Sequence, residues 1–364
     1  RQLRRAAAGG RQNAAAAAQD ALPTLYFGTM TFGWSQASSE VDSGAASAML
    51  RSFLAGGGKE VDTARIYSGG DTEKILGGVL REPEVAAAGC RLATKAHPSQ
   101  PGGLSAAGIR GQLQDSMDAL GVEKVDVLYL HQPDPEHDLS ESLSCVHELI
   151  LEGKVKQLGM SNYRALEVER ACELCRRRGW TAPSFYQGLY NPLNRLVEEE
   201  LLPVLRAHGV GFIAYNPLAA GLLSGKHRPG GEVLAGRFRD NPNYLPRFYT
   251  PQSFQALEAI RAQCEQAGVG LVPAAYSWLL RHSALRAELG DGLLLGASSP
   301  AQLAENLAAC RAAAALPPGP LAALDAAWEV CKEGAFPYWR SYSKDQPDRE
   351  DLHPGASYDA AKKK

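Results

Sequence analysis

Asp62 and Tyr67 lie in the segment VDTARIYSGG, Lys95 in RLATKAHP, and His131 at the end of VDVLYLHQPD. A carboxylate, a phenol, an ammonium and an imidazole gathered in one place could protonate a carbonyl oxygen while a hydride arrives at its carbon. Tyr67 is the candidate acid. A free phenol titrates near pH 10, so its conjugate base needs roughly 4 kcal/mol of stabilisation to reach about 7. An ammonium about 4 Å away, at an effective dielectric near 20, supplies about that much. Lys95 would be that cation, Asp62 the carboxylate that keeps it charged and placed, and His131 the donor that orients the carbonyl. Taken alone, Asp62 reads as a cap or loop acid, and Lys95 and Tyr67 say less still. The joint placement carries the chemistry.

Asp62, Lys95 and His131 each sit at or just after the end of a short apolar run. The runs that read as strands are Leu25–Gly28, Glu60–Asp62, Arg91–Lys95, Val125–His131, Val155–Ser161, Ser184–Tyr190, Gly211–Asn216 and Leu293–Gly296. Stretches of helical period such as DSGAASAMLRSFLAG and AGIRGQLQDSMDALG come between them. This alternation predicts an α/β chain folded as a (β/α)8 barrel, with a doubly wound sheet as the alternative. Catalytic groups of a barrel come from the C-terminal ends of its strands and the loops beyond. Asp62 would end the second strand, Lys95 the third and His131 the fourth, with Tyr67 in the loop after Asp62. The stretch from Lys226 to about Pro251, rich in Pro, Gly and Arg, follows the seventh strand on the same face, where long loops are commonly functional.

With 364 residues, 45% hydrophobic and 21% charged, the chain has ample material for one large core. The expected division is a leader over 1–21, a barrel over 22–334, and a tail over 335–364 that wanders on the surface, partly over the active site. A formal net charge of -2 excludes recruitment of nucleic acid by a global field. No apolar run is long enough to span a bilayer. Seven cysteines in so long a chain point to a reducing compartment, hence the cytoplasm. Cys172 and Cys175 form a CxxC without a second pair at zinc spacing, so one face of a helix is the favoured reading and no metal is expected. The leader RQLRRAAAGGRQNAAAAAQD, rich in Ala and Arg, reads as a disordered tail or as the remnant of an organellar targeting segment.

The first strand is not followed by GxGxxG, and AGLLSGKH and AGGGKE do not match GxxxxGK[ST]. A cofactor must be held in another way. Lys226, Arg228, Arg237 and Arg239 form a basic loop near the proposed mouth, and Ser298 begins a helix whose N-terminus could take a phosphate.

The motifs GTMTFG, VDTARIYSGGDTEKILGG, ATKAHP, DVLYLHQPD, GKVKQLGMSNY, YQGLYNPLNR, AYNPLAAGLLSGK, GRF and LGASSPAQLAENL run in order over about residues 25 to 340. In them the chain resembles the aldo-keto reductase superfamily, specifically its aflatoxin aldehyde and succinic semialdehyde reductase branch. The resemblance implies a barrel that binds NADPH extended across its C-terminal mouth, with Asp62, Tyr67, Lys95 and His131 as the catalytic tetrad. It further implies that Ser161, Asn162 and Gln187 hold the carboxamide and that Tyr215 stacks on the nicotinamide. Asn216, Pro217, Leu218, Gly221 and Leu222 would line the pyrophosphate, with Lys226 near it. Arg237, Ser298, Gln302 and Asn306 would hold the adenosine phosphate end, and Gly296 would admit close backbone approach.

The implied reaction is reduction of small aldehydes and dicarbonyls. Arg247 and Arg340, with Tyr67 and His131, would contact the substrate, the arginines taking a carboxylate. Ala220 stands where the branch commonly has a second Gly, and residues 341–364 extend past the position at which it usually ends. A homodimer is common in the branch. The alternative is a cofactor-binding regulatory subunit like the potassium-channel β-subunits.

Overall fold

The computed structural model describes residues 21–340, apart from 36, 232, 234, 235, 240, 242 and 243. Residues 1–20 of the leader and 341–364 of the tail lie outside the described residues. Eight parallel strands close into a barrel in sequence order: β1 (Thr24–Gly28), β2 (Glu60–Asp62), β3 (Arg91–Ala96), β4 (Val125–Leu130), β5 (Val155–Ser161), β6 (Phe185–Leu189), β7 (Gly211–Tyr215) and β8 (Gly292–Gly296). Closure is made where Gly28 of β1 pairs with Gly296 of β8. The first helices to follow are α1 (Ser43–Ala55) after β1, then α2 (Asp71–Leu80) and α3 (Pro83–Ala88) after β2. Next come α4 (Ala106–Leu120), α5 (Leu139–Leu151), α6 (Ala165–Arg178) and α7 (Leu201–His208), one after each of β3 to β6. The crossover after β7 holds α8 (Leu245–Phe248), α9 (Pro251–Ala267) and α10 (Leu271–Ser277), and α11 (Pro300–Arg311) and α12 (Pro318–Cys331) follow β8. The barrel is the architecture that the strand and helix periods predict.

The strands read as apolar runs because both of their faces are covered. In β4, Leu128 and Leu130 pack outward into the main core, while Val127 and Tyr129 join Ala93 and Phe185 in a separate cluster inside the lumen. That lumen is closed by rings lying over glycines. A Cβ on Gly159 would collide with the Tyr129 ring, and one on Gly292 with the Tyr26 ring. Large side chains opposite absent ones fill a small barrel without a channel.

Cys172 and Cys175 are both buried on one face of α6, and no group of metal-ligating residues is found among the described residues. No helix there is long and apolar enough to cross a membrane.

The tail departs from expectation in its described part. Phe336 and Tyr338 are each 1% exposed and Arg340 is 7% exposed, so this stretch is packed rather than wandering. Asn194 donates to the Phe336 carbonyl at 2.7 Å, Tyr338 donates to Glu200 at 2.5 Å, and the Trp339 ring lies against the Arg164 guanidinium at 4.9 Å. Alternating aromatic anchors in an irregular segment leave no period for a sequence reading to find.

Candidate active site

Lys95 points from β3 into the lumen, its side chain fully buried. It donates to Asp62 Oδ1 at 2.5 Å, to the Thr63 carbonyl at 2.7 Å and to Tyr67 Oη at 3.3 Å. An ammonium has three hydrogens, so all are engaged. Asp62 ends β2 and is 1% exposed; its Oδ2 accepts from Gln187 Nε2 at 2.9 Å.

Tyr67 opens the turn Tyr67–Gly70, in which Ser68 takes a left-handed φ of 49°. The Ser68 and Thr72 hydroxyls both donate to the Phe32 carbonyl, at 3.1 and 2.8 Å, and tie this turn to the loop after β1. His131 follows β4 directly, its backbone N–H donating to the Ala96 carbonyl at 2.9 Å. Its ring stands edge-on to Tyr67, with centroids 5.8 Å apart, and to His97 at 5.0 Å. The four tetrad candidates therefore meet at the mouth of the barrel.

Electrostatics sort their charge states. Burial first, then His97, Lys95 and Arg340, hold the His131 imidazole well below its usual range, so it is neutral. Its buried Nδ1 has no hydrogen-bond partner. Burial also lowers Lys95, with Asp62 acting against that loss of charge. For Tyr67 the expected lowering by Lys95 is not found. Burial, followed by the Asp62 charge, pushes the phenol well above its ordinary value. The ammonium gives its two shorter contacts to Asp62 and Thr63, and the carboxylate opposes what its third contact would do. Tyr67 consequently keeps its proton at neutral pH.

A cavity of about 780 Å³ opens beside these residues. Near its catalytic end lie Ser161, Asn162, Gln187 and Tyr215. Asn162 adopts a φ of 63° and donates from Nδ2 to the His131 carbonyl at 2.9 Å, while its Oδ1 accepts the Tyr215 hydroxyl at 2.9 Å. Asn216, Pro217, Leu218 and Gly221 border the cavity farther on, together with Lys226 and Arg237. Asn216, Ala219 and Ala220 have φ of 57°, 49° and 58°, beside Gly221 at 105°. Such a turn suits an anion cradle, and Ala220 occupies it at a steric cost that Gly would not incur.

Gly296, Ser298, Gln302 and Asn306 form the far end. Gln302 Oε1 accepts the Ser298 N–H, and the Ser299 hydroxyl caps α11. Leu222 is the exception among the residues placed near the pyrophosphate: its side chain is fully buried in the core and does not line the cavity.

A model of the aldo/keto reductase family matches residues 24–329. The chain belongs to the aldo/keto reductase family. It is 38% identical over 328 residues to aflatoxin B1 aldehyde reductase member 2 of Mus musculus, covering 87% of this chain and 88% of that protein. It is 37% identical over 333 residues to aldo-keto reductase family 7 member A3 of Homo sapiens, covering 88% of this chain and 98% of that one. With aldo-keto reductase MYCFIDRAFT_156381 of Pseudocercospora fijiensis (strain CIRAD86) it shares 36% identity over 296 residues, 80% of this chain and 100% of that one. These relatives agree with the branch that the motifs indicate. Membership makes the chain an oxidoreductase of a family that uses nicotinamide cofactors.

The aldo/keto reductase cavity also takes in both candidate arginines. Arg247 and Arg340 both lie against one aromatic ring, 4.7 and 5.0 Å from the Phe336 centroid. Arg247 Nε and Arg340 Nη1 are buried without hydrogen-bond partners. Burial and then the neighbouring Arg340 charge push Arg247 down to about 9, still cationic at neutral pH. Trp34, His97, Gln132 and Tyr244 line the same cavity and were not singled out from sequence. Two of them were within reach of a closer reading, since His97 and Gln132 follow Lys95 and His131 in the same strand-end loops.

Proposed function

We propose that this chain reduces small aldehydes and dicarbonyls to alcohols with NADPH, favouring substrates that carry a carboxylate. The observation that carries the reading is the Tyr67 hydroxyl, protonated and held 3.3 Å from a buried ammonium at the edge of a large cavity. When bound, NADPH supplies the hydride. The cavity suits an extended dinucleotide: polar groups of Ser161 and Asn162 stand at one end, left-handed turns at Asn216 and Ala219–Gly221 in the middle, and Lys226 and Arg237 bring the positive charge that a 2′-phosphate requires.

Tyr67 Oη–H gives its proton to the carbonyl oxygen, and the Lys95 ammonium 3.3 Å away donates to the phenolate left behind against the opposing charge of Asp62. His131, neutral and with no partner at Nδ1, carries its proton on Nε2 and orients the carbonyl as a hydrogen-bond donor. Asp62 keeps Lys95 charged despite burial. Arg247 and Arg340 receive a substrate carboxylate. The relatives' names speak of aldehyde reduction, which agrees with this reading.

Tyr67→Phe tests it. NADPH binding, followed by protein fluorescence, should persist while reduction of 4-nitrobenzaldehyde falls by about 10²–10⁴-fold, the usual worth of a positioned acid. Retained turnover removes Tyr67 from the role.

A further inference from the structure

Asp62 has two carboxylate oxygens, and only one of them bonds Lys95. Oδ1 takes the ammonium at 2.5 Å, whereas Oδ2 accepts Gln187 Nε2 at 2.9 Å. Gln187 stands on β6 and Asp62 on β2, opposite each other in the closed ring of eight strands, so this bond crosses the lumen. The Gln187 side chain lies beside the Tyr129 hydroxyl and the residue is 4% exposed, so its amide is held in the packed lumen.

The crossing bond decides how Asp62 shares its charge. A carboxylate with an unengaged second oxygen turns to present both oxygens to a neighbouring cation. Lys95 has three hydrogens, and the one directed at Tyr67 makes the longest contact, 3.3 Å, hence the one most readily given up. We propose that Gln187 is a positioning residue: by holding Asp62 Oδ2 from across the barrel, it limits Asp62 to a single contact with Lys95 and leaves the third ammonium hydrogen for Tyr67. This role is separate from the carboxamide contact that the resemblance implies, because Nε2 serves Asp62 while Oε1 remains for a carboxamide. The inference rests on Tyr67 as the proton donor.

Gln187→Glu and Gln187→Met in the full chain test it, with kcat measured against pH at saturating NADPH and the NADPH Kd measured separately by fluorescence titration. The introduced carboxyl would face Asp62 and Tyr129, with Lys95 on the other oxygen of Asp62. Protonated, it can donate to Oδ2 as the amide does; ionised, it repels Asp62. Its titration should therefore add a limb that the parent lacks, with kcat recovering toward low pH and falling on the order of tenfold above the limb. Gln187→Met, which has no donor, should be slow by a similar factor at every pH. The Kd of the Glu variant should stay within about twofold of the parent, its acceptor oxygen being kept.

Three results overturn the inference: parental kcat and pH profile in both variants, a change confined to NADPH Kd, or a pH-independent deficit in Gln187→Glu. Should Gln187→Met fail to fold, the profile of Gln187→Glu alone decides. An active Tyr67→Phe would instead sink the proton-donor reading itself, whereas an inactive Tyr67→Phe beside unaffected Gln187 variants sinks only the role of Gln187.

Discussion

Two like charges held against one ring make the carboxylate subsite testable without any turnover. Arg247 titrates at about 9 instead of its usual 12.5, with burial the larger cause and Arg340 the next. A base whose folded pKa is depressed costs stability at every pH below that value, and the cost is relieved as pH rises from about 9 toward 12.5. That interval sets an upper limit near 5 kcal/mol at about 1.4 kcal/mol per pH unit, and partial solvation of Arg247 leaves only a fraction of it. An anion seated between the guanidiniums should relieve the same cost at neutral pH. With about 10 mM succinate and a Kd of about 1 mM, linkage gives about 1.4 kcal/mol of added stability. For a domain of this size that is a rise in Tm of roughly 2 °C. Thermal unfolding followed by dye fluorescence, with chloride at matched ionic strength as control, reads it directly. The shift should appear at pH 7, shrink at pH 10 as Arg247 loses its proton, and be absent in Arg340→Gln. A shift matched by chloride, or one that survives in Arg340→Gln, would refute the reasoning.

Lys95→Met should destabilise the fold by about 3–5 kcal/mol in urea, because it strands the Asp62 charge in the lumen. Adding Asp62→Leu should recover at least about half of that loss; a double variant less stable than Lys95→Met alone contradicts the account. Arg237→Ala should raise the Kd for NADPH by about tenfold and that for NADH far less, as measured by fluorescence titration. Equal losses for the two would mean that Arg237 does not read the phosphate distinguishing them.

The barrel and three members of the tetrad were legible because strands covered on both faces announce themselves as apolar runs, and Asp62, Lys95 and His131 each mark the end of one. Charge was less legible. The placement of Lys95 near Tyr67 could be argued from position, but the sign of the shift on Tyr67 depends on burial and on where Asp62 lies, and neither is local. The bond from Gln187 to Asp62 joins opposite strands, so no spacing along the chain foretells it. The resemblance places Leu222 beside the pyrophosphate, and burial of its side chain in the core could not be read from spacing. Arg340 was harder still, since nothing periodic in FPYWR distinguishes anchored aromatics from a surface tail.

The backbone N–H of Arg340 donates to the Asn162 carbonyl at 2.7 Å, and Asn162 in turn holds the His131 carbonyl and the Tyr215 hydroxyl. A residue near the end of the described chain is thus fastened to the middle of the catalytic face. During biosynthesis every strand of the barrel leaves the ribosome before this segment does. The catalytic face is therefore tied together by a stretch that adds nothing to the sheet and is made after all eight strands.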